Sequence, residues 1–230
     1  NPMVLRVPGL GYQKGFGGHF HNDNSLTIFR DIPGLVLAIP SNGADAVRML
    51  RTAVKEAYKN GRIIVFIEPI ALYMTKDLYK VKDGKWEFIY PKLNDESPIG
   101  EFKSYGNGRL LTILTYGNGL YLSLQAQKDI EKKLGKKIKI IDLMWISDIN
   151  YETLLKEISP CKKILIVDEC RRSGCHGEGI LTNLILKSKT SLNIDLHAAE
   201  DSFISIGNAA TATLPSKDSI VQNALNLVNA

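Results

Sequence analysis

Alternating apolar runs and mixed segments predict strands and helices along most of the chain. The apolar run at 35–39 ends at a proline and is typical of a strand buried on both faces. Ser41 and Asn42 can cap the helix that follows, and Gly61 supplies the left-handed residue that ends it. A second apolar strand is predicted at 63–69. Strand, helix and strand joined by short turns predict a parallel sheet flanked by helices, because the right-handed crossover packs back onto the sheet only in that way.

The predicted helix carries an apolar stripe at helical spacing. It consists of Val47, Leu50, Val54 and Ala57, which predicts the face that packs on the sheet. Two strands and one helix cannot cover both faces of a buried sheet, and a typical sheet has roughly four to six strands. We therefore expect a truncated first lobe, whose missing layer comes from residues upstream of Asn1 or from another chain.

The alternation stops after this strand and restarts beyond a polar segment. That segment is rich in turn residues, which predicts an ordered connector with a short hairpin at Asp83-Gly84. The following residues predict strands at 110–117, 137–143, 162–169 and 193–198, and helices at 120–135, 150–159, 179–186 and after Pro215. The predicted fold class is α/β, with a partial domain at 1–73, the connector at 74–106 and a complete domain at 107–230.

Composition indicates a soluble globular protein. The 230 residues are 44% hydrophobic with a formal charge of +5, and the chain is long enough to bury a core. No run of about 18 apolar residues predicts a membrane span, and the start lacks a secretory pattern. Cys161, Cys170 and Cys175 form no visible disulfide framework, so we expect a cytoplasmic location. The basic run at 132–139 has no interleaved aromatics, so we expect no nucleic-acid partner.

A glycine-rich segment at 11–23 holds the densest cluster of polar side chains. His19, His21 and Asp23 alternate, so in an extended segment their side chains would point the same way. The spacing of the glycines fits neither the dinucleotide fingerprint nor the P-loop. Two imidazoles and a carboxylate could hold a divalent metal ion, but such a site needs further ligands. We favour a structural role for His19 and a catalytic role for His21.

A second polar cluster follows the predicted strand at 162–169, at the strand end where ligands of open α/β sheets tend to bind. It consists of Asp168, Glu169, Cys170, Arg171, Arg172, Cys175 and His176. The cysteines and the histidine lack the spacing of a standard zinc site. The arginine pair could tie the loop to a carboxylate of the same chain or grip a partner chain.

Three segments together resemble the β subunit, or the β half of a fused chain, of thiamine-diphosphate-dependent 2-oxo acid dehydrogenases. They are GGHFHNDNSLTIFRDIPGLVLAIPSNGADAVRMLRTAV, IIVFIEPIALY, and TYGNGLYLSLQA with IDLMWISDINYETL and ILIVDE. The resemblance covers nearly all of the chain. It implies a partial pyrimidine-binding domain with a parallel sheet, followed by a three-layer α/β/α domain of the transketolase C-terminal type.

The resemblance also implies the roles of residues in the first cluster. Counting back from the Pro33-Gly34 pair places His21 on the family's catalytic histidine, with His19, Asn22 and Asp23 near the substrate. The family usually has Ser-Gln where this chain has Asn22-Asp23, which leaves local hydrogen bonding and substrate preference open. Histidine suits a hydrogen-bonding and proton-transfer role because imidazoles titrate near neutral pH.

In that family the cofactor, thiamine diphosphate with magnesium, lies between an α and a β part. The main pyrimidine contacts would lie upstream of Asn1, so the isolated chain is expected to be inactive. The implied reaction is oxidative decarboxylation of a branched-chain 2-oxo acid such as 2-oxoisovalerate, with transfer of the acyl group to lipoamide.

The implied partners are the α part, a second β part and the dihydrolipoamide acyltransferase core, with Arg171 and Arg172 as a docking surface. Two alternatives stay open: a noncatalytic dimerisation or docking module, and a metal-dependent hydrolase using His19, His21 and Asp23.

Overall fold

The first lobe contains a parallel three-stranded sheet. The computed structural model describes residues 1–12, 16–21 and 23–230. The strands are β1 (Met3–Gly9), β2 (Leu35–Ala38) and β3 (Ile63–Pro69), in the order β1-β3-β2. The sequence analysis predicts β2 and β3 but not β1, whose apolar pattern is interrupted by Arg6 and Pro8. Pro8 is tolerated because β1 lies at the sheet edge.

The helix between β2 and β3, α1 (Gly43–Asn60), begins and ends as predicted. The side chain of Asn42 accepts a hydrogen bond of 3.0 Å from the backbone N–H of Asp45. Gly61 ends the helix in the left-handed conformation, with φ of +66°.

The predicted buried face of α1 is right at Ala57 and at Leu50, which packs against the core of the first sheet, and wrong at the exposed Val54. Met49, Ala53 and Ala57 face the sheet, whereas Val54 is 55% exposed and Val47 and Leu50 are only partly buried. Small side chains at the second and third core positions let the helix approach Phe66 and Ile64 of β3. The helix therefore has a second apolar stripe that faces away from the sheet.

The predicted hairpin at Asp83-Gly84 does not form. Residues 73–102, all of which the structure describes, contain no strand. The Asp83 carboxylate instead accepts hydrogen bonds from the backbone N–H groups of Leu78, Tyr79, Lys80 and Lys85. A carboxylate that satisfies these donors replaces the ladder of a hairpin with a compact turn.

The second lobe is a five-stranded sheet between two layers of helices. Its strands are β4 (Lys103–Tyr105), β5 (Leu111–Thr115), β6 (Lys139–Asp142), β7 (Lys163–Arg171) and β8 (Asn193–Ala199). Their order is β4-β6-β5-β7-β8, and β4, from the predicted connector, pairs antiparallel. The helices are α2 (Asn118–Leu134), α3 (Tyr151–Ile158), α4 (His176–Lys187) and α5 (Lys217–Asn229). This three-layer α/β/α arrangement confirms the predicted fold class.

One apolar core joins the two lobes. It combines Leu37, Ile39, Val65 and Ile67 of the first sheet with Leu114, Ile141, Ile164 and Ile166 of the second. In the described part of the chain, no helix has the length and apolar character needed to cross a membrane.

Candidate functional site

The described part of the glycine-rich segment between β1 and β2 is folded rather than extended. We call residues 16–25 the histidine loop; Asn22 lies outside the described residues. Gly17 and Gly18 have φ values of +71° and +52°, and Gly18–Phe20 form a 3-10 turn. The condition under which His19, His21 and Asp23 would point the same way, an extended backbone, is therefore not met at Gly18–Phe20.

The two histidines of the loop contact different aromatic side chains. The exposed His21 ring lies 5.3 Å, centroid to centroid, from the ring of Phe16. The His19 ring lies 4.2 Å from Phe20 and 4.7 Å from Phe203 of the second lobe. A Cβ atom on Gly17 would lie 2.1 Å from Cδ2 of His21, so the imidazole occupies space that only glycine leaves open.

The metal-hydrolase alternative requires the side chains of His19, His21 and Asp23 to converge. The Asp23 carboxylate instead accepts hydrogen bonds from Ser25 and Arg171. Among residues 1–12, 16–21 and 23–230, no three or more His, Cys, Asp or Glu side chains are grouped as a metal site would need. The geometry of the described residues does not support this alternative.

Arg171 ties the histidine loop to the end of β7. Its Nη1 donates hydrogen bonds of 3.1 Å to Oδ1 of Asp23 and 2.9 Å to Oδ1 of Asn24, and its Nη2 donates to Oγ of Ser25. The guanidinium carbon also lies 5.3 Å from the centroid of the Phe203 ring. This geometry matches the loop-tying alternative. Arg172 points elsewhere and donates a 2.8 Å hydrogen bond to the carbonyl oxygen of Leu196.

Asn24 is a site residue that the sequence analysis misses. It is buried, and its Nδ2 donates a 2.7 Å hydrogen bond to the carbonyl oxygen of Glu169. The partner lies 145 positions away in the sequence, so no local spacing points to this contact.

The other side chains of the second cluster are structural. Asp168 accepts hydrogen bonds from the Tyr116 hydroxyl and, at 2.7 Å, from the backbone N–H of Gly177 in the first turn of α4. Burial, together with the Asp168 carboxylate, raises the pKa of the Cys170 and Cys175 thiols. Both thiols are therefore protonated near neutral pH and unreactive.

Two further histidines belong to the second lobe, in α4 and β8. The buried His176 has Nε2 3.3 Å from the carbonyl oxygen of Leu26. The partly buried His197 has Nε2 2.7 Å from Oγ of Ser219. Both contacts hold elements of the fold together.

A buried polar contact joins the lobes near the start of α1. The Ser41 hydroxyl donates a 2.9 Å hydrogen bond to Oδ1 of Asp142 at the end of β6. Burial raises the pKa of Asp142 to about 8, reinforced by the nearby Asp45 carboxylate and opposed by the Ser41 hydrogen bond. Asp45 itself pairs with Lys103 and with Arg48, the latter at 3.2 Å.

A cavity of about 400 Å³ lies where β3 ends and α1 begins. Pro40, Phe66, Leu72 and Trp86 supply much of its apolar lining, and Glu68 lies at its polar side. Arg6 and Tyr73 both donate hydrogen bonds to the Glu68 carboxylate. Burial opposes ionisation of Glu68, but these hydrogen bonds outweigh it and lower its pKa. Neither His19 nor His21 lines this cavity.

Comparison with known proteins defines the class. The family described as "Transketolase, C-terminal domain" matches residues 100–213. The chain is 28% identical over 160 residues to the mitochondrial 2-oxoisovalerate dehydrogenase subunit beta of Dictyostelium discoideum, covering 70% of this chain and 40% of that protein. It is 26% identical over 236 residues to the pyruvate dehydrogenase E1 component subunit beta of Staphylococcus epidermidis, covering 97% of this chain and 64% of that protein.

Solved structures show the same fold. A chain described as a split gene transketolase, an inactive beta4 tetramer, superposes with a TM-score of 0.70 at 15% identity, covering 98% of this chain and 66% of that chain. Transketolase from Campylobacter jejuni superposes with a TM-score of 0.60 at 15% identity, covering 97% of this chain and 31% of that chain.

These matches and the three-layer second lobe place the chain in the transketolase superfamily of thiamine-diphosphate-dependent proteins. Within that superfamily, both curated relatives that it resembles are β subunits of 2-oxo acid dehydrogenases. The chain spans less than two thirds of the length of either curated relative.

Proposed function

We propose that the chain is the β part of a 2-oxo acid dehydrogenase and that His21 is its catalytic histidine. The observation that carries the proposal is the likeness to a pyruvate dehydrogenase β subunit over 97% of the chain. An exposed His21 on a loop with two left-handed glycines is consistent with a side chain that faces a ligand held largely by other residues.

We propose that this chain supplies only one side of a thiamine diphosphate site. The described residues offer no grouped ligands for magnesium, and the cavity beside α1 does not include the histidine loop. We therefore assign the diphosphate and magnesium to the α part. When bound, the cofactor acts as an electron sink for decarboxylation of the 2-oxo acid.

His21 has two tasks in this proposal. Its imidazole donates a hydrogen bond to the substrate carbonyl or carboxylate, and it moves a proton to or from the reacting group. The ring lies at a 45° tilt beside the ring of Phe16 and against Gly17, which limits the orientations of its two nitrogens. His19 and Asp23 lie on the same loop as His21. The Asp23 carboxylate already accepts a hydrogen bond from Arg171.

The substrate is proposed to be a branched-chain 2-oxo acid such as 2-oxoisovalerate, with lipoamide as the acyl acceptor. The relative from Dictyostelium discoideum, a 2-oxoisovalerate dehydrogenase β subunit, supports this choice. The pyruvate dehydrogenase β subunits make pyruvate the competing substrate, which a direct comparison of kcat/KM for the two oxo acids would test.

The proposed partners are the α part, a second β part and the acyltransferase core, in the cytoplasm. The first lobe leaves apolar side chains for such partners: Met3, Leu5 and Val7 of β1 are 39% to 45% exposed. We also propose docking through Arg172 and the last helix. Arg171 is less suited to docking, because its guanidinium is engaged within the chain.

Replacement of His21 tests the proposal in enzyme assembled with the α part. We expect H21A to lower kcat for decarboxylation by about 100-fold to 10,000-fold, the range for loss of a positioned acid or base. H21N, which keeps a hydrogen-bond donor but cannot transfer the proton, should recover only part of that loss.

Two results would contradict the proposal. Full activity of H21A would remove the catalytic role and favour the noncatalytic docking module. Tight binding of thiamine diphosphate to the isolated chain, measured by calorimetry, would contradict the division of the cofactor site between two parts.

A further inference from the structure

The second lobe holds the histidine loop from two sides. Arg171, at the end of β7, bonds to three consecutive loop residues, Asp23, Asn24 and Ser25. Phe203, in the segment after β8, lies against both the Arg171 guanidinium and the His19 ring. These contacts bracket His21 in the sequence, with one on each side of it.

The approach of the two lobes at this point is close. A Cβ atom on Gly18 would lie 2.7 Å from Cγ1 of Ile206 and 3.3 Å from the carbonyl oxygen of Ile204. The second lobe therefore approaches the backbone of the histidine loop itself and leaves no room for a side chain at Gly18.

We propose that Arg171 is a positioning residue for His21, acting through the histidine loop with Phe203 as its second support. The catalytic consequence rests on the proposed function, whereas the positioning itself does not. The C-terminal lobe thus has a part in the active site, although it holds neither the histidine nor the cofactor.

The chemistry of the guanidinium suits this task. Its planar fork reaches separate acceptors with Nη1 and Nη2 while its face packs on an aromatic ring. The Arg171 side chain is 24% exposed, so these contacts form where water competes less than on an open surface. A lysine ammonium can neither span these acceptors as a fork nor stack in the same plane.

The chain contains four histidines, which makes the proposal testable by NMR of the imidazole C–H groups. In R171A we expect the His19 and His21 signals to lose their aromatic ring-current displacement and move toward free-histidine positions. His197 reports on folding, because its contact with Ser219 lies within the second lobe and away from the histidine loop. Its signal should stay in place, whereas His176 contacts Leu26 directly after the loop and is not a control.

R172A is the matched control, since Arg172 is the adjacent arginine and bonds to Leu196 instead of the loop. It should leave the His19 and His21 signals unchanged, whereas a shift of His197 is expected because Arg172 bonds to the neighbouring Leu196. R171K should resemble R171A, and wild-type signals in R171K would refute the role of the fork. If R171A fails to fold, F203L serves as the second test of the proposal, because it removes the aromatic ring beside His19 but keeps Arg171. Unchanged His19 and His21 signals in folded R171A, or in F203L, would overturn the proposal.

An activity measurement separates this proposal from the function it rests on. In the assembled enzyme, R171A should lower kcat by up to about a hundredfold, as expected for a misplaced catalytic group, with a smaller effect on KM. Combining R171A with H21A should add little to the effect of H21A alone. H21A could retain full activity while R171A still moves the His19 and His21 signals. That outcome would support the positioning role of Arg171 and contradict the catalytic role of His21.

Discussion

Gly17 shows how a single backbone conformation places the candidate catalytic side chain. Its φ of +71° lies in the left-handed region, and its missing Cβ leaves room for the His21 ring. Gly34 has a similar φ of +77°, but nothing within 4 Å would meet an added Cβ. The two glycines share the left-handed conformation, which would strain any other residue, and differ in the contact.

This difference leads to a prediction about alanine at the two positions. Both G17A and G34A should lower the free energy of unfolding by about 1–2 kcal/mol, the cost of a left-handed alanine. Only G17A should move the imidazole signals of His21 and reduce activity in the assembled enzyme. Denaturant titration and histidine NMR measure the two effects separately. Equal His21 signals in both variants would contradict the steric role of Gly17.

The sequence predicts the histidine loop but not its geometry. The density of glycine and polar residues marks the segment, and the resemblance selects His21. The bonds from Arg171 to Asp23 and Asn24 join residues 148 and 147 positions apart, so they follow only from the packing of the two lobes. Phe203 likewise has no local pattern that points to His19.

At the scale of elements, the second lobe follows closely from the sequence because its central strands are continuous apolar runs. Leu111–Thr115, for example, is buried at every position, as expected for a strand that is covered on both faces. The edge strand β1 is not predicted, because a half-exposed strand lacks a continuous apolar run. The face of α1 is partly mispredicted because the helix has two apolar stripes. The stripe with the smaller side chains is the one that packs against β3.

The two stripes of α1 predict opposite outcomes for similar substitutions. M49A should lower the free energy of unfolding by about 2–5 kcal/mol, because it leaves a cavity in a buried position. V54A, on the exposed stripe, should change it by less than about 0.5 kcal/mol. Chemical denaturation of the isolated chain measures both. A larger loss for V54A than for M49A would show that the stripes are assigned the wrong way round.

At the scale of the whole molecule, buried carboxyl groups make stability depend on pH. Burial raises the pKa of Asp142 and of Glu169 to about 8, so both hold a proton in the folded chain at neutral pH. In the unfolded chain they release it near pH 4. The folded state therefore binds more protons, and its stability falls as the pH rises toward 8. His176 and His197, whose pKa values burial lowers, affect stability only below about pH 6.5.

We therefore expect the free energy of unfolding to decrease between pH 6.5 and 8. D142N should reduce that slope by about 1 kcal/mol per pH unit, because it removes one linked proton. E152Q is the control: the salt bridge with Lys156 lowers the pKa of exposed Glu152, so its titration lies below this range. Denaturant titrations at several pH values measure the slopes. An unchanged slope in D142N would show that Asp142 is already ionised in the folded chain.

The apolar interior that the two sheets share also limits how such a protein can be recombined. Leu37 and Ile67 belong to the same buried apolar cluster as Leu114 and Ile166. A chimera that exchanges the second lobe for that of a related subunit would place unmatched side chains face to face. Grafts would succeed only when both halves of this interior are transplanted together, even though the connector offers an accessible place to cut.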